Sequence, residues 1–250
     1  MLEQKRIKPL VLSAADQIRR HLGKDISALY LRGSAARDDW VFGLSDVDLY
    51  LIVRDDPLAK RGVSKSEIDA ILQSVSLEPQ ISCRVVRESY LRQNHVGSYL
   101  TGLDARLLLG DAVLEGLQAP TLDELRDFGL RYLEYLDRYW KRSKENRRSS
   151  LLEEVRRLDY MVLKSAQTVL TAHGIVALRK DEVAHLFQKK FGDLPLANVV
   201  GKARDIRSSW PEPASHPHEL SLFVREADSF LSSMESYLKM RKPTPNSGVT

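Results

Sequence analysis

Every strand-like stretch of this 250-residue chain falls before about residue 115, and the long stretches beyond it carry helical spacing. That change of period limits the fold more than any other feature, because strands repeat every two residues and helices every 3.6. The first half alternates the two. Residues 9–22 put Leu10, Ala14, Ala15, Ile18 and Leu22 on one helical face, with Gly23 placed to end the helix. Residues 26–31 form a dense apolar run that predicts a buried strand ending at Gly33-Ser34. Residues 46–53 start polar and turn wholly apolar, a second strand. Residues 65–75 predict a helix with Ser64 as N-cap, and Pro79 precedes a third strand at 81–86. The second half predicts five helices, at 121–144, 150–172, 180–191, 196–206 and 220–240. Thr121 and Glu124 make a capping pattern for the first, and Trp210-Pro211-Glu212-Pro213 breaks the chain before the last. The fold class is therefore α+β: an α/β domain over residues 1–115, a helical bundle over 116–241 and a disordered tail over 242–250.

Composition fits that reading and excludes others. Apolar residues are 43% and charged residues 29%, an ordinary globular balance. One cysteine, Cys83, leaves no internal disulfide framework and suits a reducing cytoplasm. No apolar run has transmembrane length, and the first nine residues lack a signal-peptide core, so a cytoplasmic protein without membrane contact is expected. The formal charge of +4 is mild and compatible with phosphate-rich partners without demanding them. The six histidines show no metal-ligand spacing.

Chemistry concentrates between the first two strands. A strand delivers Gly33-Ser34 to a turn, where glycine admits close approach of a phosphate and serine adds a hydroxyl. A helix beginning at Ser34 would add free N–H groups. Eleven residues later come Asp46 and Asp48, which share one face of a strand. Two neighbouring carboxylates repel unless a cation lies between them, and Mg²⁺ is the natural occupant beside phosphates. A Gly-Ser pair or an Asp-x-Asp alone would be a turn or a strand edge; the combination is far more specific.

Gly33-Ser34-x11-Asp46-x-Asp48 resembles the signature of the polymerase β-like nucleotidyltransferase superfamily, and Gly33-Ser34-Ala35-Ala36-Arg37 with Ser45-Asp46-Val47-Asp48-Leu49 resembles its small bacterial members. His173-Gly174 followed by residues 178–184 is similar to the helical domain of aminoglycoside nucleotidyltransferases. The resemblance implies an N-terminal domain with a mixed sheet. It implies Asp46 and Asp48 as catalytic Mg²⁺ ligands, and Gly33, Ser34, Arg37, Ser45 and Lys180 as residues that hold ATP or another nucleoside triphosphate. It implies transfer of a nucleoside monophosphate, in the first place AMP from ATP, with release of pyrophosphate. The acceptor remains open among a small molecule, a protein and an RNA end. Residues 103–111 resemble a segment joining the two domains, with Arg106 in an interdomain salt bridge. Residues 141–148 predict a solvated basic inter-helix loop containing Lys141, Arg142, Lys144, Arg147 and Arg148.

One departure stands out. Active members place a third carboxylate on the next strand, where this chain has Ser82, with Arg84 on the same face. Three explanations compete: a shifted register with Glu78 or Glu88 as the acid; a carboxylate from the helical domain, with Glu134, Asp137 and Asp159 as candidates; or a degenerate protein that binds nucleotide or a protein partner without turnover.

Overall fold

A computed structural model describes residues 2–55, 63–76, 79–145 and 150–240. The sequence expectations for Glu78, Arg147, Arg148 and the tail at 242–250 lie outside those residues. The chain divides into two compact units, Met1–Pro120 and Thr121–Thr250.

The first unit contains α1 (Leu2–Leu22), β1 (Ile26–Arg32), α2 (Gly33–Arg37), β2 (Val47–Val53), α3 (Lys65–Val75), β3 (Ile81–Arg87), α4 (Glu88–Gln93), α5 (His95–Gly102) and β4 (Arg106–Gly110). The sheet order is β3-β2-β1-β4. β2 and β3 are parallel, while β1 runs antiparallel to both β2 and β4, so the sheet is mixed. The apolar run in β2 is explained by burial on both faces. Leu49 and Leu51 join Ile18 of α1 and Ile68 and Leu72 of α3 in one core, whereas Tyr50 and Ile52 join Tyr30, Val86, Leu91 and Leu114 in another. Asp48 lies at the start of the second face, where that apolar cover ends.

Two details differ from the sequence reading. Helix α1 runs back through Pro9, because Ile7 and Val11 extend its buried face by two more positions. Residues 106–110 form an edge strand. Its apolar run, Leu107 to Leu109, is only three residues long and exposed or half-exposed, too short to mark a strand by pattern. Arg106 pairs there with Asp38 at 2.9 Å, inside the first unit, which corrects the interdomain salt bridge.

The second unit contains α6 (Leu122–Glu145), α7 (Leu151–Ala172), α8 (Lys180–Phe191), α9 (Asn198–Ser209) and α10 (Pro217–Met240). Helix α7 is the central one. Its buried residues run from Val155 to Ala172 and share one core with residues of α6, α8, α9 and α10. Capping boxes form at Ser150 with Glu153 and at Ser64 with Glu67, and the Thr121 hydroxyl accepts from the Glu124 N–H. Gly129 also finds its reason. A Cβ there would lie 2.7 Å from Ala172 Cβ and 2.9 Å from its backbone nitrogen. Close approach of α6 to α7 therefore outweighs the cost of glycine in a helix, about 1 kcal/mol against alanine. Helix α6 continues to Glu145, so Lys141, Arg142 and Lys144 are helical rather than part of a loop. Lys141 pairs with Asp137 at 2.9 Å, and Lys144 pairs with Asp228.

No helix among the described residues is long and apolar enough to cross a membrane.

Candidate active site

The register of β1 and β2 assembles the motif. Arg32 pairs with Asp48 across the strands, so the chain leaves β1 at Gly33 beside the Asp48 carboxylate. Gly33 has φ +70, a conformation that L residues rarely adopt. A Cβ at that position would stand 2.7 Å from Asp48 Oδ2. The backbone turn therefore requires glycine, and a Cβ there would make the end of the Asp48 side chain shift. Helix α2 starts at Gly33 and includes the buried Ser34. Its first N–H groups have no intrahelical acceptor and open beside Asp48. The helix is only five residues long, so local N–H donors rather than a helix dipole would meet an anion.

The loop after α2 is tied by Ser45. Its Oγ accepts from the Val41 N–H at 3.1 Å, and its own N–H donates to the Val41 carbonyl at 2.8 Å. The Ser45 side chain is buried, whereas the next residue, Asp46, is exposed. Ser45 therefore shapes the turn that presents Asp46. Val47 N–H then donates to the Gln80 carbonyl at 2.9 Å and begins the pairing with β3.

Arg37 sits in the first unit between two acids. Its guanidinium pairs with Asp104 and lies 3.4 Å from Asp39, with 12% of the side chain exposed. These pairs fasten α2 to the turn after α5.

The strand register decides the third-carboxylate question within β3. Ser82 stands opposite Asp48, and its Oγ donates to Asp48 Oδ1 at 2.8 Å. Glu88 follows the last residue of β3, six positions along, or about 20 Å from Ser82 at the strand rise. It is therefore removed as a candidate for that position. Two cations line this face instead. The Arg32 guanidinium lies 6.0 Å from the Tyr50 ring centre, and the Arg84 guanidinium lies 5.3 Å from that of Tyr90. Burial raises the Tyr50 phenol above its ordinary pKa, against the opposing pull of Arg84 and Arg32. Arg32 was absent from the sequence reading. Its only signal was its place one residue before Gly33, in register with Asp48.

The acids of the helical unit divide by environment. Glu134 is exposed on α6, and Asp137 is engaged by Lys141. Asp159 is 1% exposed and holds Arg207 at 3.0 Å. Burial raises its pKa, with Arg207 and Lys180 pulling it down. Such enclosure denies an acceptor hydroxyl access to Asp159, and its geometry is that of a core ion pair. Lys180 opens α8 with its ammonium 6.0 Å from the Tyr160 ring centre.

That ion pair has a testable consequence. Arg207→Leu strands a buried carboxylate, and the cost should be about 3–5 kcal/mol near pH 7. A carboxyl with a raised native pKa binds protons better folded than unfolded, so its penalty grows as pH rises above the unfolded value and shrinks toward pH 4. Urea denaturation at pH 5 and pH 7.5 would show the difference. An equal loss at both would remove Asp159 as its source.

Among the described residues, no three His, Cys, Asp or Glu side chains converge as a metal cluster. The site nevertheless suits Mg²⁺, which commonly takes one or two carboxylates and completes its shell with water and substrate phosphates. Asp46 and Asp48 supply hard oxygens at the mouth of β2, and the absence of a Cβ at Gly33 preserves space against Asp48.

No protein-family model matches the sequence, and no curated protein matches it. Among solved structures, spectinomycin adenyltransferase AAD(9) from Enterococcus faecialis, solved with ATP and spectinomycin, aligns over 90% of this chain and 98% of its own at a TM-score of 0.58 and 14% identity. A Sulfolobus solfataricus protein described as a nucleotidyltransferase aligns over 43% of this chain and 83% of its own at 15% identity, with a TM-score of 0.30 that is too low to bear on the fold. The first likeness shows that this chain shares the fold of that adenyltransferase.

Proposed function

We propose that this chain transfers a nucleoside monophosphate, in the first place AMP from ATP, to an acceptor, with release of pyrophosphate. The observation that carries the reading is the Gly33 turn, at φ +70, set beside the Asp48 carboxylate, whose Oδ2 lies 2.7 Å from where a Cβ at Gly33 would stand. A scaffold has no need to bring a phosphate-type turn against a strand carboxylate. The nucleotide's phosphates would lie over the first turn of α2, with Ser34 as an additional donor. Arg32 and Arg84 make this face attractive to anions. Arg37, held by Asp104 and Asp39, would support α2 from behind.

Asp46 and Asp48 would hold Mg²⁺, which supplies charge neutralisation at the phosphates and orients them for in-line displacement. Asp48 is already oriented by Ser82, which donates to its Oδ1 at 2.8 Å. Such fixed placement reduces the reorganisation needed at the transition state. Ser82 fills the usual carboxylate position with a hydroxyl, which cannot accept the acceptor's proton as a carboxylate can. General-base catalysis is worth on the order of 10²–10⁴ in rate, so slow transfer is the expected behaviour.

A second reading follows from that same residue: nucleotide binding without turnover. Incubation with α-labelled ATP and Mg²⁺, offered with aminoglycosides, tRNA and cell lysate, separates the two. Label transferred by the native protein and absent with Asp46→Ala supports transfer. Mg²⁺-dependent ATP binding without any labelled product supports the second reading, and no nucleotide binding defeats both.

A further inference from the structure

We propose that α6 carries a binding surface for single-stranded nucleic acid, built from a ladder of tyrosines edged by arginines. Four rings run along one side of the helix. Phe128 stacks near Tyr132 at 5.8 Å, Tyr132 meets Tyr135 at 5.6 Å, and Tyr135 stacks near Tyr139 at 6.4 Å between ring centres. The ladder runs from Phe128 to Tyr139, about 17 Å along the helix axis at 1.5 Å per residue. Core packing does not account for all of it. Leu125, Leu133, Leu136 and Trp140 form the buried face of α6, whereas Tyr135 and Tyr139 are 50% and 46% exposed. The exposed rings of Tyr135 and Tyr139, continuous with the part-buried Tyr132 and Phe128, leave an aromatic strip open to solvent, which marks an interaction surface more often than a solvated helix face.

Charge selects the occupant. Arg131 and Arg138 lie four residues before and three after Tyr135, and Arg142 lies three after Tyr139, so each neighbours an exposed ring. All three are exposed, and none forms an ion pair with another described residue. On the other side of the ladder, the Lys164 ammonium of α7 lies 5.4 Å from the Tyr132 ring centre. Rings that can stack on bases, with guanidiniums beside them for phosphates, are the elements by which proteins bind single strands without reading sequence. A duplex hides its base faces in the stack and would meet only the arginines. A cationic small molecule would meet like charge on the ring side, since the exposed acids Asp127 and Glu134 stand beyond Arg131 and Arg138 from the rings around the helix. The surface shares no residue with the proposed nucleotide site, so either reading can fail without the other.

Fluorescence anisotropy with the intact chain and labelled twelve-nucleotide oligo(U), oligo(dT) and a duplex of the same length tests the proposal in the absence of ATP. Both single strands should bind, ahead of the duplex, with affinity falling as salt rises. Tyr135→Ala with Tyr139→Ala should weaken binding about 10- to 100-fold. Both rings are half-exposed, so the fold should be retained, as checked by circular dichroism. Replacing both rings with Phe should keep the binding. Arg138→Gln with Arg142→Gln should lower the slope of log affinity against log salt by about 1–2. Preference for RNA or DNA would identify the natural strand. Absence of single-strand binding, binding unchanged in the double alanine variant, or ring-dependent capture of a cationic aminoglycoside in place of the oligonucleotides would overturn the proposal.

Discussion

Asp48→Asn is expected to abolish Mg²⁺-dependent stabilisation by ATP and to lower any nucleotide transfer by a factor on the order of 10³ or more. The substitution is nearly isosteric. Ser82 Oγ, which donates to Asp48 Oδ1 at 2.8 Å, can donate to the amide oxygen instead. The amide nitrogen then faces Gly33, where Asp48 Oδ2 now sits. Fold and packing should therefore survive, while one anionic oxygen donor to the metal is lost. The test compares melting temperatures with and without ATP and Mg²⁺. A ligand at 100 times its dissociation constant stabilises by about 2.7 kcal/mol, enough to raise the melting temperature by several degrees. The native protein should gain that rise only when both components are present. Asp48→Asn should melt as the native apo protein does and gain nothing. An unchanged response would remove Asp48 from the metal site and, with it, the functional reading of the motif.

The parts of this fold that were legible in the sequence are those whose periodicity is strong. Short apolar runs located β1 and β2, the run after Pro79 located β3, and the 3.6-fold apolar pattern located the five helices of the second unit, because burial forces each of them. The edge strand β4 was hidden because it is half-exposed, and its pairing with β1 is a long-range event that no local pattern announces. The same division runs through the site. Gly33, Ser34, Asp46 and Asp48 were visible as a motif, and Ser82 as a departure from one, since alternation along regular strands carries the register. The surroundings were not visible. Arg37 meets Asp104 across 67 residues of chain, and Asp159 meets Arg207 across 48. Long-range pairs of this kind leave no spacing in the sequence. They decide whether a charge faces solvent, a substrate or another side chain.

The place of Ser82 makes a gain-of-function experiment possible. Ser82→Asp would set a carboxylate opposite Asp48 on the parallel neighbouring strand, at the position the signature reserves for an acid. If a missing proton acceptor limits the rate, turnover should rise by a factor on the order of 10²–10⁴. Ser82→Ala, which only releases Asp48 Oδ1, should leave the rate within a few-fold of native and serves as the control. The acid carries a cost in the absence of metal. The Ser82 and Asp48 side chains are within hydrogen-bond distance, so two carboxylates there repel, and one of the pair must be pushed to a higher pKa. A native pKa above the unfolded one means that the folded state holds the proton more tightly. Stability of metal-free Ser82→Asp should then fall, relative to native, as pH rises from about 4 toward 7. Mg²⁺ should restore it by screening the pair, and that restoration reports the added carboxylate whether or not turnover changes. A faster enzyme with metal-restored stability identifies the missing base as the rate-limiting defect. Restored stability without any gain in rate places the proton acceptor outside β3.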